Sequence, residues 1–207
     1  MELIDGLGKL KALVNTSLAY TKDVYDQERL EEMQTILREL VTTYSTNLTK
    51  TEIERYFTSD VGYVTPKVDI RAVVFNDQKE LLLVQEKSDD TWALPGGWGD
   101  VGYSPGEIAQ KETWEEAGIT VAAKQLIKVV DKAKQDYPPS LEYVYKFFIF
   151  CEVASGELKP GLETKDVGFF SEAESQQLTL SLPRNSLEDV QELFAFIREP
   201  WCRTSFD

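Results

Sequence analysis

Leu94 to Ile119, LPGGWGDVGYSPGEIAQKETWEEAGI, is the stretch that most constrains what this chain can become. It reads as a tight glycine turn, a loop, and a helix carrying Glu112, Glu115 and Glu116. Residues three and four apart share a helix face, so the three carboxylates crowd one patch. At roughly 5 Å and an effective dielectric near 20, each like-charge pair costs about 3 kcal/mol before relaxation. Such a patch calls for a cation. With only oxygen ligands on offer, Mg2+ or Mn2+ suits it better than zinc. The competing reading is a solvated acidic helix face.

The chemistry open to the chain is narrowed by what it lacks. There is no histidine. That removes Ser-His-Asp and Cys-His catalysis, histidine zinc sites and imidazole bases. Acid-base work falls to carboxylates, lysine, tyrosine or metal-bound water. The formal net charge of -14 argues against DNA or an anionic membrane as the main partner. A bound divalent metal would still admit an anionic small molecule, because it reverses the sign locally. Cys151 and Cys202 form no disulfide framework, residues 1–20 mix charges throughout, and no apolar run approaches the ~18 residues of a membrane span. A cytoplasmic location is therefore expected. With 207 residues, 42% of them hydrophobic, one full domain plus a smaller appendage is expected.

Helical spacing of apolar residues predicts helices over 2–21 and 26–46, and Thr49 with Glu52 forms a capping box for a third helix to about Phe57. Residues 1–60 are too few to build much core alone. They are expected to pack on the following domain, on a second copy of themselves, or both. The main domain is expected over 61–207, after a boundary at 62–67, GYVTPK. Strands are expected at 68–75, with Val68, Ile70, Ala72 and Val74 on one face, and at 81–85, 119–131, 141–153 and 167–170. The acidic helix is expected from Ser104 or Pro105 to Ala117, stopped by Gly118, and a C-terminal helix from the Ser186 and Asp189 box to about Arg198. Strands and helices interleave without a βαβ rhythm. That predicts an α+β fold, a mixed sheet sandwiched between helices, with a small N-terminal helical domain.

The central stretch resembles the Nudix box, G-x5-E-x7-R-E-U-x-E-E-x-G-U with U aliphatic. Its first glycine falls on Gly97, and its second half on Lys111, Glu112, Thr113, Trp114, Glu115, Glu116, Ala117, Gly118 and Ile119. Tyr103 replaces the box glutamate, Lys111 the arginine and Thr113 the aliphatic residue. Lys111 keeps the charge but not the planar two-pronged grip. Asp100 and Glu107 are nearby carboxylates. The segments TPKVDIRAVVF, GGWGDVGYSP, LETKDVGFF and LSLPRNS are similar to a bacterial Nudix subgroup with a helical N-terminal extension. Its members hydrolyse nucleoside diphosphates linked to another moiety, X, and many carry the label ADP-ribose pyrophosphatase. There is similarity too to the dimeric CDP-choline-hydrolysing enzymes of Gram-positive bacteria.

The resemblance implies a pyrophosphohydrolase that releases a nucleoside monophosphate and phosphorylated X from a small-molecule nucleotide, and a homodimer. It implies that Glu112, Glu115, Glu116 and the Gly96 carbonyl coordinate one to three Mg2+ or Mn2+. Glu116 and Glu163 are the candidate general bases; Glu163 sits where a closing loop would deliver it, and could equally be an exposed loop carboxylate. Lys67, Arg71 and Arg184 are candidate phosphate contacts, with surface ion pairing as the alternative. Trp98 is the best-placed candidate for stacking a base, ahead of Tyr143 and Tyr145. Phe147 to Phe150 read as core. Two other functions stay open: a Nudix enzyme acting on oxidised nucleotides or RNA ends, and a non-catalytic ligand-sensing module. The intact glutamates and the acidic C-terminal helix weigh against the second.

Overall fold

The computed structural model describes residues 2–44, 49–60 and 62–207. The chain forms two compact units, Met1–Pro66 with Pro139–Tyr143, and Lys67–Pro138 with Val144–Asp207.

The first unit holds α1 (Leu3–Tyr20), α2 (Val24–Tyr44) and α3 (Lys50–Thr58). The last two residues of the helix expected over 26–46 lie outside the described residues. Thr49 and Glu52 cap α3 reciprocally, each accepting from the other's backbone N–H. Leu7, Val14, Leu37, Val41, Ile53, Tyr56 and Phe57 build its core, with Leu141 packed against it. Tyr56 Oη donates to the Leu141 carbonyl at 3.1 Å. This contact corrects the strand expected from Leu141: the strand begins at Val144, because 139–143 is used by the helical unit. Leu3, Leu10, Leu13, Met33, Ile36 and Leu40 stay exposed.

The second unit contains β1 (Lys67–Val74), β2 (Leu81–Glu86), β3 (Trp92–Ala93), β4 (Gly96–Trp98), α4 (Pro105–Ala117), β5 (Ile119–Asp131), a 3-10 turn (Lys132–Lys134), β6 (Val144–Gly156), β7 (Thr164–Phe170), α5 (Glu172–Ser175), α6 (Leu187–Arg198) and β8 (Ser205–Phe206). The sheet is in two pieces, ordered β4-β1-β6-β5-β8 and β3-β2-β7. β1 runs parallel to β6 and antiparallel to β4, which sets Ile70 opposite both Phe147 and Gly97.

Strand alternation buries both faces. Ile70, Ala72, Val74, Leu82 and Val84 pack with Ile108, Ala109 and Ala117 of α4. Val73, Leu81 and Leu83 pack with Val190, Leu193, Phe194 and Phe196 of α6. The result is α+β, with both sheet pieces held between α4 and α6. The chain crosses from the smaller piece to the larger within Leu94 and Pro95, between β3 and β4.

β7 starts at Thr164 rather than Val167, because its polar first half pairs with Gln85 and Glu86 of β2. Among the described residues no helix is long and apolar enough to cross a membrane.

Candidate active site

α4 owes its start to a second reciprocal cap. Ser104 Oγ accepts from the Glu107 N–H at 3.3 Å, and the Glu107 carboxylate accepts from the Ser104 N–H at 2.8 Å. Glu107 is thus used by the cap. The helix buries Ile108, Ala109, Thr113 and Ala117 and stops at Gly118, φ 76°. The other face turns Glu112, Glu115 and Glu116 into a cleft of about 870 Å3 whose opposite wall is the Gly96–Trp98 turn. That size suits a nucleotide-sized ligand.

Glu116 is buried, and its Oε2 accepts from the Gly96 N–H at 3.0 Å. Burial pushes its carboxyl up to about 8. The Gly96 bond and Arg71 pull it down, while Glu86 and Glu112 push it further up. Burial also raises Glu112, against the pull of Lys111. Lys111 Nζ donates to Asp100 Oδ2 at 3.2 Å and to Glu112 Oε1 at 3.4 Å, and lies 3.8 Å from Glu115 Oε2. So the box arginine's replacement gathers three carboxylates, one of them Asp100. Gly96 admits no side chain, since a Cβ there would lie 2.0 Å from the Ile70 carbonyl oxygen.

The donors are carboxylate and carbonyl oxygens on facing walls. A Cβ on Gly97 would sit 3.1 Å from the Glu112 carboxyl carbon, so the glycine keeps that approach open. These residues fit a hard divalent cation. Their oxygens do not converge as they stand: among the described residues no group of three acidic or thiol ligands is arranged to hold an ion. Lys111 is the cation beside Glu112 and Glu115.

Glu163 lines the same cleft. The closing loop expected around it is instead fastened. Lys159 N–H donates to the Ala117 carbonyl at 2.9 Å and Gly161 N–H to that of Glu116 at 3.3 Å. Lys87 Nζ donates to the carbonyls of Gly161 and Leu162, and Lys87 N–H to that of Glu163 at 3.0 Å.

Trp98 lines the cleft with its side chain exposed. The three basic candidates do not line it. Arg71 is buried; its guanidinium is committed to Asp69, with Nη2–Oδ1 at 2.6 Å, and to the Leu94 carbonyl at 3.2 Å. Arg184 pairs with Glu86 at 3.3 Å and Asp89 at 3.1 Å. Lys67 heads β1 opposite Val144. Tyr143 falls in the helical unit, and Tyr145 is not among the residues that line the cleft.

Two residues escaped the sequence reading. Trp114 lines the cleft and is 61% exposed. Its signal was legible: a large apolar residue on the polar side of an amphipathic helix. Glu86 is a buried carboxylate whose charge is felt at Glu116. No local pattern marks it.

Known proteins resemble the chain in sequence and in fold. The NUDIX domain pattern matches residues 65–190. The pattern described as a UDP-X-like, N-terminal oligomerisation domain matches residues 2–57. A Bacillus subtilis (strain 168) protein, YjhB, with the provisional name ADP-ribose pyrophosphatase, is 38% identical over 199 residues, which is 96% of this chain and 94% of that one. The crystal structure of an ADP-ribose pyrophosphatase from Streptococcus suis 89-1591 is 39% identical, covers 69% of this chain and 100% of its own, and superposes with a TM-score of 0.61. The crystal structure of a UDP-X diphosphatase is 30% identical, covers 99% of this chain and 97% of its own, and has a TM-score of 0.62. On its own motif, its fold and these relatives, the chain belongs to the Nudix hydrolase family.

Proposed function

We propose that the chain hydrolyses nucleoside diphosphates linked to a second moiety, X, to a nucleoside monophosphate and phosphorylated X, with Mg2+ or Mn2+ as cofactor. The observation that carries this reading is the buried Glu116 carboxylate, held by the Gly96 N–H and sharing one cleft with Glu112, Glu115 and Glu163. Glu112, Glu115, Glu116 and the Gly96 carbonyl would hold the metal. When bound, it supplies charge neutralisation for the pyrophosphate and acidifies the attacking water. Glu163 is the proton acceptor in this reading. Its carboxylate makes no hydrogen bond or ion pair among the described residues and faces the cleft. Trp98 and Trp114 offer exposed rings on which a base stacks.

Residues 1–60 act in this reading as a packing and dimerising domain and 61–207 as the hydrolase domain. The exposed Leu10, Leu13, Met33 and Ile36 support self-association. Cytoplasmic action accords with the free Cys151 and Cys202.

A hydrolysis panel tests the reading. CDP-choline, ADP-ribose, a UDP-sugar, NADH, a diadenosine polyphosphate and nucleoside triphosphates are incubated with Mg2+ or Mn2+, and products are identified. Nucleoside monophosphate release from a diphosphate-linked substrate is expected. Turnover of triphosphates alone would replace this substrate class with nucleotide clearance.

A further inference from the structure

The segment 179–185, containing most of LSLPRNS, lies outside the catalytic helix and its loop, yet it is tied to the strand that leads into the glycine turn. Trp92 N–H donates to the Thr179 carbonyl and Ser181 N–H to the Trp92 carbonyl, each at 2.8 Å. The segment then turns, with Asn185 N–H on the Ser181 carbonyl at 2.9 Å. The turn delivers the fully buried Asn185 side chain to Leu94, whose N–H donates to Asn185 Oδ1 at 3.0 Å. From the other side Arg71 Nη1 holds the Leu94 carbonyl at 3.2 Å, and Ala72 N–H holds the Pro95 carbonyl at 2.8 Å.

Leu94 and Pro95 need this help because they cross between sheet pieces and belong to neither ladder. A buried amide without a ladder partner must find another acceptor. Asn185 supplies it from 91 positions along the chain. Its own Nδ2 is buried with no hydrogen-bond partner among the described residues. The side chain is therefore kept for its oxygen. Two residues beyond Leu94, the Gly96 N–H holds Glu116.

We infer that Asn185 is a positioning residue for the metal-binding wall: by fixing the Leu94 amide it fixes the Gly96 amide and carbonyl, and through them the Glu116 carboxylate. This rests on the metal-site reading above. Groups behind metal ligands set affinity because a ligand that must first be ordered binds less tightly.

The test uses full-length, substrate-free protein. Asn185→Leu replaces the amide by an apolar side chain of similar shape, and Asn185→Ala is a second variant should the first not fold. Mn2+ binding is read from the electron paramagnetic resonance signal of free Mn2+. Amide exchange at Leu94 and Gly96 is read without metal. We expect Mn2+ affinity to fall about tenfold or more, with faster exchange at both amides and unchanged exchange in the centre of α6. Glu116→Gln is the parallel control and should lose Mn2+ binding. Wild-type affinity and exchange in the Asn185 variants, with binding lost in Glu116→Gln, overturns the positioning role and leaves the metal site standing. Retained Mn2+ binding in Glu116→Gln overturns the metal-site reading, and this inference with it.

Discussion

Thr164 Oγ1 donates a 2.7 Å hydrogen bond to the main-chain carbonyl of Glu116. The last carbonyls of a helix have no partner within it; here the start of β7 supplies one. The loop between β6 and β7 and the acidic end of α4 are therefore one piece. Gly161 seals the join, since a Cβ there would lie 1.8 Å from the Glu115 carbonyl oxygen. Gly161→Ala should push the loop off the helix, lower kcat strongly and cost about 1–3 kcal/mol of stability. Thermal unfolding and steady-state kinetics on one preparation check this. A Tm and kcat equal to wild type would show that the join is loose.

Glu116→Gln keeps an oxygen for the Gly96 N–H but removes the charge. The fold should persist and kcat should collapse. Glu163→Gln should lower kcat by about 10²- to 10⁴-fold, the usual loss on removing a general base. Near wild-type turnover at saturating Mg2+ in Glu116→Gln would sink the metal site. An unchanged kcat in Glu163→Gln would move the proton acceptor elsewhere.

Trp98→Ala and Trp114→Ala should each raise KM while leaving kcat close to wild type, because a stacked base is worth about 1–3 kcal/mol by alanine substitution. Phenylalanine at either position should restore most of the loss. Quenching of indole fluorescence by a nucleoside monophosphate gives a reading independent of turnover. An unchanged KM for both would remove the rings from recognition.

Asp69 faces two cations, Arg71 and Lys146. Burial works to raise its carboxyl, and the two cations outweigh it, so the net direction is down. One carboxylate neutralises one cation, which leaves the fully buried Lys146 in surplus. Burial pushes Lys146 down to about 8, Asp69 opposing and Arg71 adding repulsion. The unfolded chain holds that proton to above pH ~10. Between those values the unfolded state binds more protons, so stability should rise with pH, by about 3 kcal/mol from this group. Lys146→Met should flatten the rise and be no less stable at pH 7. Urea unfolding from pH 7 to 10 decides it; parallel curves for the two proteins would refute the assignment.

Leu13→Lys and Met33→Lys put a charge on the exposed apolar surface of the helical unit. If that surface joins two copies, analytical ultracentrifugation should show a shift toward monomer, with each unit still folded. An unchanged sedimentation coefficient would exclude these residues from the interface.

Much of this was legible locally. The boxes at Thr49 and Ser186 announced α3 and α6, and β5 runs from Ile119 to Asp131 as its pattern says. The register of Gly97, Glu112, Glu115 and Glu116 placed the carboxylate wall against the glycine turn. What stayed hidden depends on partners remote in sequence. The polar start of β7 is a strand only because β2 pairs with it. Leu141 leaves β6 for a tyrosine hydroxyl 85 residues away. Arg71 looked free for phosphate, although its partner was readable two positions back: Asp69 shares its face of the strand.

The crossing at Leu94 and Pro95 has a consequence for how the protein reports its own state. The same short stretch leaves one sheet piece, enters the other and meets α4 through Gly96. A ligand gripping both Gly96 and Glu116 would staple all three together. Occupancy of the cleft will then register as cooperativity of unfolding as well as turnover, so a melting curve can serve as a binding assay for substrates not yet tried.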